Sequence, residues 1–165
     1  MEKTELYETF QKGLTSVNGE SYIAKKADVA ATLTKIFQDK DTHEVALVET
    51  PLLKEIGAVD ALKAAGIKVD TDHFRKNAPD DKGGVTEADY GIANLGSIVQ
   101  MKDDIDCRIV ETVSDVYVGI VKLSKIVDTF DDMIDIMAET KPFPKFAGII
   151  TGPSRTADIG CVGTV

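Results

Sequence analysis

The sequence predicts an α/β fold: a mostly parallel sheet flanked by helices. Three observations predict it. Short apolar runs of strand length alternate with segments of helical period, most plainly across residues 45–48, 52–65 and 67–69. Turn and cap residues punctuate the alternation, as at Asn18-Gly19, Thr50-Pro51 and Gly66. The 165 residues, 43% of them apolar, suffice for one proper core. The expected organisation is a single domain over residues 1–165, with residues 1–20 as an N-terminal helical extension.

In chain order, residues 3–13 read as a helix, with Leu6, Phe10 and Leu14 on one face. Residues 21–24 suit a short strand. Residues 27–40 form a clearer helix, with Val29, Leu33, Ile36 and Phe37 as its buried stripe and Asp28 where the helix dipole favours an acid. The apolar run at 44–49 is a strand, and Thr50-Pro51 caps and opens a helix that breaks at Gly57 and stops at Gly66. Residues 67–70 are the next strand. Strand, helix, strand in this order implies a right-handed parallel crossover.

Residues 71–84 are polar and read as a surface excursion. Thr86-x-x-Asp89 can close one reciprocally capped helical turn. Residues 90–93 and 98–101 are strand-like, and Asn94-Leu95-Gly96-Ser97 can join them as a hairpin with Gly96 at positive φ. Residues 108–113 and 116–121 return the chain to the sheet. Residues 128–139 form an amphipathic helix, with Phe130, Ile134 and Met137 inside and Asp128, Asp131 and Asp132 at its positive end, stopped by Pro142-Phe143-Pro144. Residues 146–150 are a short buried strand.

That strand runs into Thr151-Gly152-Pro153-Ser154-Arg155-Thr156-Ala157-Asp158. Pro153 suits a first helical position. Unpaired N–H groups in the first turn, with the helix dipole, favour a small anion. The forked head of Arg155 matches a carboxylate or phosphate, and Asp158 stands three residues on, within reach of it. An ordinary strand-to-helix turn with one surface ion pair is the plainer reading of the same residues. Likewise Glu87, Asp89, Asn94 and Ser97 read either as the polar rim of a ligand site or as good hairpin chemistry.

With 19 basic and 28 acidic residues the chain carries −9, a poor match for nucleic acid or an anionic membrane. No apolar run approaches the ~20 residues of a membrane helix. The N-terminus is polar and reads as the start of a surface helix, so no secretory leader is expected. Cys107 and Cys161 lie far apart and suit reduced thiols in a cytoplasmic protein. A Cys-ligated iron–sulfur cluster takes about four thiolates, so this chain holds none by itself, and no other cofactor is legible. His43 and His73 lack second ligands at metal spacing. Asp103-Asp104-x-Asp106 lacks the glycine and distant glutamate of a calcium loop. No metal site is expected.

Three stretches in order, Gly84-Val-Thr-Glu-Ala-Asp-Tyr-Gly-Ile-Ala-Asn-Leu-Gly-Ser97, Ser124-Lys-Ile-Val-Asp-Thr129 and Ile150-Thr-Gly-Pro-Ser-Arg-Thr-Ala-Asp-Ile159, resemble the LUD domain of lactate-utilization protein C. The resemblance covers about half the chain, and the Thr151–Ile159 run is its most specific part. It implies a fold similar to the NagB/RpiA/CoA transferase-like superfamily. It also implies a subunit that takes part in oxidising L-lactate to pyruvate with iron–sulfur partner proteins, which would carry the redox centres missing here. In this reading a small anionic ligand lies near Thr151, Gly152, Ser154, Arg155 and Asp158, with Asn94, Gly96 and Ser97 as further ligand contacts. Glu87 and Asp89 are the acid–base candidates. Where the family shows an acidic residue and threonine before the glycine, this chain has Asn94-Leu95, and an amide can hydrogen-bond but not act as a base. The family also continues past the position of Val165 with a Gly-Val-His-Gly-Pro segment. Two other readings stay open: a CoA-transferase- or cyclo-ligase-like enzyme acting on a phosphorylated or nucleotide-like substrate, and a non-catalytic assembly module. No Walker lysine loop is present.

Overall fold

The structure, a computed structural model, describes residues 3–153. These fall into two compact units. One comprises Ile23–Glu87 and Asp104–Ile120; the other draws its described residues from 3–22, 88–103 and 121–153. The expected α/β class, with a parallel sheet flanked by helices, is what forms.

The first unit begins with α2 (Val29–Asp39), which follows α1 (Lys3–Ser16) of the other unit, and continues through β1 (Glu44–Leu47), α3 (Pro51–Glu55), α4 (Ala58–Ala64) and β2 (Lys68–Asp70). Gly57 at φ 65 and Gly66 at φ 80 supply the left-handed residues that break and end the helical stretch. Then come α5 (Phe74–Asn77), β3 (Gly83–Glu87), α6 (Ile105–Val113) and β6 (Val116–Ile120). The four strands form one parallel sheet in the order β2-β1-β3-β6. Its two faces are both covered, which the period of two along β1 makes plain. Val45 and Leu47 pack with Leu33, Phe37, Leu53, Leu62 and Val85. Ala46 and Val48 face the other way, among Phe74, Ala78, Cys107 and Val110.

Three sequence expectations fail in this unit. Residues 83–87 are not the end of a loop and a helical turn but the inner strand β3. The glycines that made the stretch look loop-like are there because the packing is tight. A Cβ on Gly83 would stand 2.7 Å from Val45 Cγ2, and one on Gly84 would stand 2.0 Å from Ser114 Oγ. Residues 108–113 belong to a helix, α6, capped by the Asp104 carboxylate accepting the Asp106 N–H at 2.8 Å. Its β-branched residues suggested a strand, but Cys107 and Val110, three apart, are the buried pair, and packing overrides propensity. The short strand expected at 21–24 does not form.

The second unit holds α1, β4 (Tyr90–Ile92), β5 (Ser97–Met101), β7 (Ile126–Val127), α7 (Phe130–Glu139) and β8 (Ala147–Ile150). Its sheet runs β7-β4-β5-β8, with β4 and β7 parallel and β5 antiparallel to both β4 and β8. The expected hairpin is present, turned by a 3-10 segment at Ala93–Leu95 and by Gly96 at φ 63. α1 packs into this unit: Phe10, 5% exposed, clusters with Ala93 and Ile126. β8 is an edge strand with Ala147 and Ile149 exposed, so the expected buried strand is only half covered.

On α7 the buried face also differs from the expected one. Met133 is fully buried, with Ile136 and Met137 beside it against Ile92 and Val99, whereas Phe130 and Ile134 are 39% and 44% exposed. Apolar residues at 130, 133, 134, 136 and 137 allow two overlapping stripes, and periodicity alone does not choose between them. Thr129 and Asp132 form a complete capping box at the N-terminus of α7, whose hydrogen bonds hold the Asp132 carboxyl below its ordinary pKa.

Candidate functional site

The sequence-predicted residues divide between the two units. Glu87 is the last residue of β3, half-buried. Its Oε2 accepts a hydrogen bond from Thr50 Oγ1 at 2.5 Å, a charge-assisted distance. Thr50 had been read only as a cap. It is one, since its Oγ1 also accepts the Leu53 N–H at 3.3 Å at the start of α3, and the carboxylate contact is the part that local sequence does not reveal. Beside Glu87, the buried Thr86 hydroxyl lies 2.7 Å from the Tyr117 hydroxyl of β6. Neither Thr86 nor Tyr117 stood out in the sequence.

The remaining described candidates are in the second unit. Asp89 is engaged with the backbone of β5: its N–H donates to the Val99 carbonyl at 2.9 Å, and its Oδ2 accepts the Met101 N–H at 2.7 Å. Its Oδ1 lies 3.8 Å from Lys102 Nζ. No Thr86-to-Asp89 helical turn forms; Asp89 instead closes the open end of the hairpin. Asn94 is exposed on the 3-10 turn, and its N–H donates to the Asp128 carbonyl at 3.0 Å. Gly96 comes so close to α1 that a Cβ there would stand 2.0 Å from the Leu14 nitrogen. The structure brings Ser97 and Thr151 together, their hydroxyls 2.6 Å apart. The register explains it, since Ile98 pairs with Ile150 and so sets their outer neighbours side by side. Gly152, at φ 64, then bends the chain away from β8 against Val17. Ser154, Arg155 and Asp158, and the helix expected from Pro153 onward, lie outside the described residues.

Two other features belong to the parallel-sheet unit. Asp81, 1% exposed, lies 3.8 Å from Lys68 Nζ, which also pairs with Asp70 at 3.1 Å and Glu44 at 3.8 Å. Burial pushes the Asp81 carboxyl up to about 6, Asp70 and Glu44 add to this, and Lys68 only partly opposes it. A cavity of about 310 Å³ is lined by His73, Phe74, Arg75, Lys76 and Asp106; of these the sequence had drawn notice only to His73 and Asp106, and only as metal-type residues. Among the described residues no three His, Cys, Asp or Glu side chains are grouped to hold a metal ion. No helix among them is long and apolar enough to cross a membrane.

A crystal structure of a DUF162 family protein from Deinococcus radiodurans superposes with a TM-score of 0.68, covering 92% of this chain and 89% of that one at 12% identity, a likeness of fold. A protein of Macrococcus caseolyticus named "Lactate utilization protein C" is 35% identical over 80 residues, which is 46% of this chain and 35% of that protein. The chain thus matches about a third of that relative's length. The LUD domain profile matches residues 7–163, which takes in segments of both units. On that match, the chain belongs to the LUD domain family.

Proposed function

We propose that this chain serves lactate utilization, as a cytoplasmic subunit of a system that oxidises L-lactate to pyruvate together with iron–sulfur partner proteins. The observation that carries the reading is the 35% identity over 80 residues to a protein named for lactate utilization, within a chain matched by the LUD domain over residues 7–163. The chain's own inventory suits a shared task. Two cysteines cannot ligate an iron–sulfur cluster, so electron transfer falls to partners. The single LUD domain is the working unit in this reading.

The ligand is a small anion. The residues offered to it in this reading are Thr151, Gly152, Ser154, Arg155 and Asp158, with Asn94, Gly96 and Ser97. Of these, Ser97 and Thr151 support the grouping, since their hydroxyls lie 2.6 Å apart. Glu87 and Asp89 are the acid–base candidates, each already accepting a hydrogen bond, from Thr50 Oγ1 and from the Met101 N–H respectively.

A thermal-shift screen against L-lactate, pyruvate, phosphate, CoA, ATP and nicotinamide nucleotides tests the reading, because a ligand that prefers the folded state raises the midpoint. The expected result is a shift with L-lactate or pyruvate that Arg155→Ala abolishes. A shift confined to CoA or nucleotides would replace it with the transferase-like alternative. No shift, with an iron–sulfur protein co-purifying, would favour the assembly module.

A further inference from the structure

The cavity in the parallel-sheet unit plays no part in the function proposed above, and the five residues that line it, His73, Phe74, Arg75, Lys76 and Asp106, all belong to that one unit. Its place follows from the course of the chain. β2 ends at Asp70, and three residues later His73, at φ 52, turns the chain into α5. Opposite stands the first turn of α6, which carries Asp106. The other end of α6 lies at the start of β3, where a Cβ on Gly84 would meet Ser114 and Val110. α6 therefore begins toward the carboxyl ends of the strands, the side on which open α/β sheets take their ligands.

The lining is held firmly and its charges are unspent. Phe74 and Ala78, four apart, are buried with Cys107 and Val110 of α6, and this leaves Arg75 and Lys76 on the exposed face. Among the described residues the side chains of Arg75, Lys76 and Asp106 have no hydrogen-bond or ion-pair partner. Opposite charges thus share one cavity of about 310 Å³ without pairing. His73 is oriented by its neighbour: Nδ1 lies 2.8 Å from Asp72 Oδ1, and because a carboxylate only accepts, Nδ1 carries the proton and Nε2 is left for a ligand.

We propose that this cavity binds a small phosphomonoester that carries a free hydroxyl, with Arg75, Lys76 and His73 around the phosphoryl oxygens and Asp106 accepting the hydroxyl. The donor set argues for phosphate over carboxylate. The guanidinium fork alone occupies both oxygens of a carboxylate, whereas a phosphoryl group has a third for the Lys76 ammonium. Asp106 repels the anion and can only accept, so the ligand must offer it a hydrogen-bond donor away from the phosphate. The assignment is independent of the lactate reading, whose anion contacts are other residues.

Calorimetry on the 165-residue chain at low salt tests it with three probes: inorganic phosphate, methyl phosphate and glycerol 3-phosphate. All three are expected to bind, glycerol 3-phosphate about fivefold or more tighter than methyl phosphate. Arg75→Ala should weaken all three by about tenfold or more, the usual consequence of losing hydrogen bonds between charged groups. Asp106→Ala should act in two directions, removing the preference for glycerol 3-phosphate while tightening inorganic phosphate. A plain loss of stability does not produce that pair of changes. Lys63→Ala, which removes an exposed lysine of α4 outside the cavity lining, should change nothing. Circular dichroism shows that each variant is folded. The assignment is overturned if no probe binds, if Lys63→Ala weakens binding as much as Arg75→Ala, or if a folded Asp106→Ala keeps the preference. Phosphate binding lost in Arg155→Ala but kept in Arg75→Ala overturns it as well, by moving the anion to the turn after β8. The response to L-lactate and pyruvate is read separately, so each of these failures leaves the lactate reading standing.

Discussion

Asp81 is a carboxyl buried beside one lysine and two further acids, and it makes stability depend on pH. Its folded pKa of about 6 lies above the ordinary 3.8. The folded state therefore binds more protons than the unfolded state between those values, and this contribution is fully present below pH 3.8 and lost as pH rises through about 6. Asp81→Asn is expected to be more stable than wild type at pH 8, by up to about 3 kcal/mol, and nearly equal to it at pH 4. Urea unfolding at the two pH values checks this; equal differences at both would remove Asp81 as the source. The buried Ser97 gives a second case. Ser97→Ala leaves the Thr151 hydroxyl without this partner and should cost about 1 kcal/mol in the same assay. Both side chains were in view in the sequence, but their surroundings were not. Asp80 and Asp81 look alike there, and one is exposed while the other is sealed beneath the entry to β3. Ser97 was picked as a ligand contact from turn chemistry, and its pairing with Thr151 depends on a register that only the folded sheet defines.

Elements were legible where their signals are local. Thr50-Pro51, Gly57 and Gly66 placed α3 and α4 because caps and left-handed residues act within a turn. The hairpin at Asn94–Ser97 followed from the same logic. β3 and α6 were not legible, because their identity is decided by what presses on them. The Gly83-Gly84 pair reads as a breaker in one dimension and as a slot for Val45, Phe37 and Ser114 in three. Gly84→Ala is accordingly expected to cost about 1–3 kcal/mol through overpacking, or to prevent folding, as judged by the denaturation midpoint. A neutral result would mean that Ser114 moves aside freely. At the start of α7, Thr129→Ala removes the capping hydroxyl and should cost about 1 kcal/mol, with Thr129→Ser close to wild type.

For the molecule as a whole, the −9 charge sets a background of self-repulsion that the ion pairs only partly offset. Most of those pairs are exposed and contribute little each. The melting temperature is therefore expected to rise as salt is increased from about 10 mM to about 150 mM, since screening acts within roughly 8–10 Å at that strength. A fall would show that the ion pairs outweigh the repulsion. The strand–helix–strand alternation was enough to give the α/β class because a parallel pair demands a crossover. The division into two units was hidden, because each is assembled from separated stretches of chain.

That interleaving bears on the order of events as the chain emerges from the ribosome. α1 is made before the residues it packs on: Gly13 rests against Gly96 and Phe10 against Ile126, contacts that close loops of roughly 80 to 115 residues. β1, α3, α4 and β2 close within fewer than 30 residues and can associate early. The apolar stripe of Leu6, Phe10 and Leu14 thus has no seat until Ala93 and Ile126 have been made.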